Sequence, residues 1–233
     1  GASGLCTVQL IIGFWIYLMY EKWKQKYDFK RTFILGILII VSLHLVGGSI
    51  NPLNRNTDYP IALWQTNIPT REKIFFNKKS INEKLFEAQN IALSSKAKLL
   101  ITPEGTLNNN FNLDFKSKIS MLAGGFRSSK NSLRSSLFGY QIGDKFYSTF
   151  IDKNRLVPLG EKNPTFLNIF SRGLSIVGGI QPGSNSRFFK WNISPPLAIA
   201  ICYEISDGSK IRNAVKSGAQ LIISVANLDP YPI

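Results

Sequence analysis

Histidine is nearly absent from this sequence. The single one, His44, lies in an apolar run, so residues 51–233 contain none. Ser-His-Asp and Cys-His catalysis are therefore excluded there. A zinc site is disfavoured as well, because one cysteine without histidine cannot supply the usual ligands. Cysteine is equally scarce. Cys6 and Cys202 give no disulfide framework, and their settings, one apolar and N-terminal and one deep in the polar remainder, leave Cys202 a free thiol. Acid–base chemistry then falls to Glu, Asp, Lys or Tyr, and the reading calls for no cofactor and no metal. Phosphate-loop spacing is also missing: Gly178-Gly179 and Pro182-Gly183 mark a turn-rich loop and nothing more. The first residue is Gly rather than Met, and the chain is expected to be a piece of a longer protein.

Acidic residues are few, 14 against 28 basic ones, for a formal net charge of +14. Residues 1–50 hold only five of the basic and two of the acidic side chains, which leaves +11 on the remainder. Such a balance points to an anionic partner, nucleic acid or a lipid surface. Two uncharged runs favour lipid. Residues 5–20 read LCTVQLIIGFWIYLMY and residues 32–50 read TFILGILIIVSLHLVGGSI, close to the roughly 20 apolar residues of a membrane span. Five positive charges (Lys22, Lys24, Lys26, Lys30, Arg31) crowd the connection between them, which marks the cytoplasmic side. The expectation is two transmembrane helices in residues 1–50 with a basic cytoplasmic hinge at 21–31. A linker at 51–59 and a domain at 60–233 outside the cytoplasm follow. His44 reads as a helix-packing residue.

From Pro60 the pattern changes. Short apolar runs predict strands at 61–65, 99–102, 121–126, 136–142, 145–151, 174–180, 197–202 and 221–225. A turn at Gly143-Asp144 separates two of them. Helical spacing covers 77–95, with Ile81, Leu85, Ala88 and Ala92 on one face, and 209–216. Continuous apolar strands imply that both sheet faces are covered. The fold class is α/β, or layered α+β, around a central sheet.

Three stretches carry chemical promise. Glu104 follows an apolar strand and Pro103; Lys153 follows a strand and precedes Leu156-Val157-Pro158-Leu159-Gly160-Glu161; Cys202 ends the strand 197–202 and precedes Tyr203-Glu204. Strand ends are where α/β domains place functional groups, and N–H groups beyond a strand can stabilise a thiolate or an oxyanion. Singly, each also fits a plain structural residue: a turn glutamate, a surface lysine, a buried inert cysteine.

Taken in order, Pro-Glu, then Lys before Leu-Val-Pro-x-Gly-Glu, then Cys-Tyr-Glu resembles the nitrilase (carbon–nitrogen hydrolase) superfamily. The two apolar runs, Asn67-Ile68-Pro69 and the stretch from Asp152 to Glu161 look, within it, like the apolipoprotein N-acyltransferases. The resemblance implies an α-β-β-α sandwich preceded by transmembrane helices, with Glu104, Lys153 and Cys202 as catalytic residues. Glu161, Tyr203 and Glu204 would support them. It also implies a phospholipid acyl donor, a diacylglyceryl-modified lipoprotein acceptor, the bacterial inner membrane as location with the domain on its periplasmic side, and no nucleic acid. Three features depart from that pattern. The stretch from Glu104 to Lys153 is short, the aromatic after Asn-Ile-Pro has only Phe75 or Phe76 as candidates, and closing strands are expected beyond Ile233. A membrane-tethered amidase and a basic, non-enzymatic binding module are the competing readings.

Overall fold

The structure is a computed structural model. It describes residues 2–49, 59–67, 78–109, 111–129, 132–158, 161 and 180–227 and divides into two units, Gly1–Asp58 and Tyr59–Ile233.

The first unit is a helical hairpin of α1, Ala2–Lys24, and α2, Lys30–Ser49. The chain reverses through Lys26 at φ 58°, and the Asp28 carboxylate accepts from the Lys30 N–H at 3.0 Å to start α2. The helices meet where Trp15 Nε1 donates to the Thr32 carbonyl at 3.0 Å and Lys22 Nζ to Thr32 Oγ1 at 2.7 Å. Leu10, Ile11, Phe14, Ile34, Leu35, Leu38 and Leu45 stay exposed. Helices thus stand where the sequence predicts them. Among the described residues no helix is long and apolar enough to cross a membrane, so the structure establishes helices there and not spans. The 51–59 linker lies outside the described residues except Tyr59.

In the second unit, β1 (Ile61–Leu63), β2 (Leu99–Ile101), β3 (Ser120–Ser129), β4 (Ser132–Tyr140) and β5 (Thr149–Asp152) form one sheet in that order. Its first three strands are parallel and its last three antiparallel. A second sheet holds β6 (Phe188–Phe189), β7 (Leu197–Ile201) and β8 (Leu221–Val225), with β7 and β8 parallel. Helix α3, Lys78–Ser94, lies in the 78–98 connection, and α4, Gly208–Lys216, links β7 to β8.

Side-chain alternation sets the layers. Leu99, Ile101, Leu122, Leu137 and Ile151 of the first sheet pack against Phe189, Leu197, Ile199, Ile201, Ile223 and Val225 of the second. On the outer face of the first sheet, Leu100, Met121 and Phe138 meet Ile81, Leu85, Ala88 and Ala92 of α3, the helical face read from the sequence. On the outer face of the second, Ala198 and Ala200 meet Ile211 and Ala214 of α4. The order is helix, sheet, sheet, helix, as expected. Each fully buried Ile or Leu adds about 1.5–3 kcal/mol to this core.

Several boundaries differ. The β3–β4 ladder runs from Met121↔Tyr140 to Ser129↔Ser132, well beyond the apolar runs, because Arg and Ser in 127–135 pair backbone to backbone without an apolar signal. The turn at Gly143 is present, with φ 90° and Asp144 Oδ2 accepting from the Gln141 N–H, but the next strand waits until Thr149. The short β6 was not foreseen. The strand expected at 174–180 lies outside the described residues apart from Ile180, which bridges Leu133. The strand expected to reach Cys202 stops at Ile201, where the backbone changes hand.

Candidate active site

Glu104 is placed by the turn that leaves β2. The Thr102 N–H donates to the Leu122 carbonyl at 2.9 Å, Thr106 Oγ1 donates to the Pro103 carbonyl at 2.8 Å, and Gly105 takes φ 68°. Strand β3 passes so close that a Cβ on Gly124 would sit 2.3 Å from the Pro103 oxygen. Only glycine fits there.

Lys153 begins the loop after β5. Its N–H donates to the Ser135 carbonyl, and its own carbonyl accepts from the Gly183 N–H, both at 2.8 Å. The side chain is fully buried, 0% exposed, so the surface-lysine alternative is overturned. Its Nζ lies 3.0 Å from Glu104 Oε1 and 2.7 Å from Glu161 Oε1. Glu161 is fixed in turn by the Val157 N–H, which donates to its Oε2 at 2.9 Å. Burial alone pulls the lysine pKa down, but the charges of Glu104 and Glu161 outweigh it and push it up to about 12. The two carboxylates thus favour the ammonium form of Lys153.

Cys202 leaves β7 at φ 54°, a left-handed conformation costing a β-carbon residue about 1–3 kcal/mol. It opens a 3₁₀ helix, η1, Cys202–Ser206. The thiol lies close enough to Glu104 and Lys153 for both to act on its pKa. Burial, then the Glu104 charge, push the thiol pKa up; Lys153 opposes them and does not win. That direction favours a protonated thiol beside the Glu104 side chain. Such a pair can move one proton and form one covalent bond to carbon, beside a fixed positive charge.

The structure thus brings Glu104, Lys153, Glu161 and Cys202 together. Glu204 lies apart from the lysine, buried beneath η1, where it accepts from the main-chain N–H groups of Ile201, Asn154 and Arg155. Tyr203 points outward, partly exposed, with the Arg155 guanidinium 4.8 Å over its ring. Asn67-Ile68-Pro69 is described only at Asn67, and Phe75 and Phe76 lie outside the described residues. Two participants escaped the sequence reading. Ser135 Oγ donates to Glu104 Oε1 at 3.1 Å, and Arg187 pairs with Glu204 at 2.9 Å; neither carries a local signal. A cavity of about 590 Å³ lies elsewhere, between β1 and α3.

No family model matches the chain. Solved structures do. A mutant amidase from Nesterenkonia, showing covalent addition of the acetamide moiety of fluoroacetamide at its active-site cysteine, has a TM-score of 0.51 at 15% identity over 76% of this chain and 68% of that one. A double mutant of the same amidase in complex with acrylamide has a TM-score of 0.50 at 15% identity over 75% and 68%. That amidase is described as being from the nitrilase superfamily. Identity this low shows the fold alone: the second unit is an α/β sandwich of the nitrilase-superfamily kind.

Sequence relatives are more specific. An apolipoprotein N-acyltransferase of Prochlorococcus marinus subsp. pastoris is 78% identical over 232 residues, 100% of this chain and 47% of that protein. One from another Prochlorococcus marinus strain is 43% identical over 239 residues, again 100% and 47%, and one from Thermotoga maritima is 27% identical over 214 residues, 86% and 40%. The chain is a relative of the apolipoprotein N-acyltransferases and spans about half the length of the curated relatives it matches.

Proposed function

We propose that this chain carries the catalytic machinery of an apolipoprotein N-acyltransferase. It moves an acyl chain from a phospholipid, through a thioester on Cys202, to the N-terminal amine of a diacylglyceryl-cysteine lipoprotein. The observation that carries the reading is the buried Lys153 held between Glu104 and Glu161, with the Cys202 thiol near enough to feel all three, within a chain aligned over its whole length with about half of proteins of that name.

The steps follow from the geometry. Glu104 takes the thiol proton as the sulfur attacks the ester carbonyl, so no free thiolate has to persist in a negative site. The oxyanion that forms is stabilised by Lys153 and by the Tyr203 N–H, which lies in the first turn of η1 where a helix supplies no partner. Collapse breaks the ester bond, Glu104 returns its proton to the departing oxygen, and a lysophospholipid leaves. The lipoprotein amine then attacks the thioester, loses a proton to Glu104, and the thiol is restored as the amide forms. Glu161 holds Lys153, and Glu204 holds the backbones of both loops.

Residues 1–50 are proposed to hold two spans, of which α1 and α2 are the described parts. Their apolar side chains remain exposed and need a non-aqueous cover. The basic hinge faces the cytoplasm, which puts the catalytic unit on the periplasmic side of the inner membrane. The amidase reading draws on the same fold and predicts water as the second acceptor.

A direct assay separates the two. Full-length protein in phospholipid vesicles is given a diacylglyceryl-cysteine peptide and a phospholipid with a labelled acyl chain. Label on the peptide amine, lost in Cys202→Ser, is expected. Label appearing only as free fatty acid, or persisting on the peptide in Cys202→Ser, overturns the reading.

A further inference from the structure

A second buried ion pair lies beneath the catalytic cluster. The side chains of Arg187 and Glu204 are 0% and 2% exposed, with Nη1 2.9 Å from each carboxylate oxygen. Arg187 Nε donates to the Ser186 carbonyl at 2.9 Å, and several of the other bonds run to the chain beside the reactive residues. Arg187 Nη2 donates to the carbonyls of Asp152 at 3.0 Å and Ser184 at 2.6 Å. Glu204 Oε1 accepts from the N–H of Asn154 at 2.6 Å and of Arg155 at 3.1 Å. Glu204 Oε2 accepts from the N–H of Ile201 at 2.9 Å. Lys153 is therefore bracketed on both sides, at Asp152 and Asn154, and Cys202 is gripped at the residue before it. Asp152 is itself pinned to the sheet by Arg127 and Ser136 at 2.7 Å each.

We propose that Arg187 is a positioning residue that, through Glu204, sets the distance between the Lys153 ammonium and the Cys202 sulfur. This rests on the catalytic roles proposed above. A clamp is needed because the two residues sit on different sheets, one after β5 and the other after β7, and Cys202 holds a disfavoured φ. Strained backbone persists only where the surroundings over-determine it. Glu204 supplies that constraint by closing the first turn of η1 onto the Ile201 N–H, and Arg187 supplies the buried charge that pairs with Glu204 and aims it inward. Without the guanidinium, the loop carrying Lys153 and the turn carrying Cys202 lose their shared partner. A displacement of about 1 Å between reacting groups costs on the order of 100-fold in rate.

Two variants test this in the full-length protein. Arg187→Lys keeps a buried cation on Glu204 but cannot also reach the Asp152 and Ser184 carbonyls. Arg187→Met/Glu204→Gln removes both charges together, a change that buried pairs often tolerate without loss of stability. The readouts are kcat and KM for acyl transfer, thermal stability, and the pH profile of Cys202 alkylation by iodoacetamide. We expect kcat to fall by about 10–100-fold with KM within twofold of wild type, thermal stability retained in at least Arg187→Lys, and an altered alkylation profile. Wild-type kcat with an unchanged alkylation profile in either folded variant overturns the proposal, as does a kcat loss matched by a loss of folded protein in both. Transfer that survives Cys202→Ser instead overturns the catalytic reading beneath it.

Discussion

Replacing Glu104 with Gln tests the proton economy of the site. The substitution is nearly isosteric, and its amide oxygen can still accept from Lys153 or Ser135. Lys153 keeps Glu161 at 2.7 Å, so the buried cation is not orphaned and the fold should survive. What disappears is the base. General-base assistance is worth about 10²–10⁴-fold, which at 1.36 kcal/mol per tenfold raises the acylation barrier by about 3–5 kcal/mol. The thiol responds in the opposite sense. Burial still raises its pKa, but the Glu104 charge no longer adds to that, while Lys153 continues to lower it. The thiol pKa therefore falls, and alkylation by iodoacetamide, which requires the thiolate, becomes faster near neutral pH. Single-turnover transfer from a labelled phospholipid, measured beside an alkylation pH profile, reads both effects. Slower acylation together with faster alkylation is the expected pair. Slower alkylation would mean that Glu104 generates the resting thiolate, and the reasoning fails.

Lys153→Met leaves the buried Glu104 and the half-buried Glu161 without their common cation. Stability should drop by about 3–5 kcal/mol and acyl transfer by about 10²–10³-fold, read by thermal denaturation and initial rates. Gly124→Ala drives a methyl into the Pro103 carbonyl and moves Glu104. A cost of about 1–3 kcal/mol with reduced transfer is expected; wild-type thermal stability would contradict the close approach. Because the folded-state pKa of Lys153 is raised from 10.5 to about 12, its contribution is fully present below 10.5 and is lost as pH rises toward 12. Alkaline unfolding of the wild-type protein should steepen across that window and flatten in Lys153→Met.

The readable parts of this fold are those where one chemical pattern dominates a short stretch. Strand β7 is continuous apolar sequence, and the turn after it carries Cys-Tyr-Glu, so both the strand and the nucleophile candidate could be seen. Helix α3 showed its buried face through Ile81, Leu85, Ala88 and Ala92. Residues 127–135 gave no such sign. Residues 127–129 and 132–135 pair through backbone bonds, and Ser and Arg there carry no apolar alternation. The burial of Lys153 was equally hidden, since it depends on carboxylates 49 and eight residues away in the chain. Arg187 lies in a loop before a two-residue strand, and its meaning comes wholly from Glu204. The handedness of Cys202, which ended β7 one residue early, is likewise a tertiary property, imposed by the turn that Glu204 closes.

The central claim is that Cys202 carries the acyl chain. Full-length protein reconstituted in phospholipid without an acceptor, digested and examined by mass spectrometry, should show an acyl group on the peptide containing Cys202. Hydroxylamine should remove it, and it should be missing in Cys202→Ser. An unmodified Cys202 peptide in protein that still transfers acyl chains when acceptor is added would contradict the account.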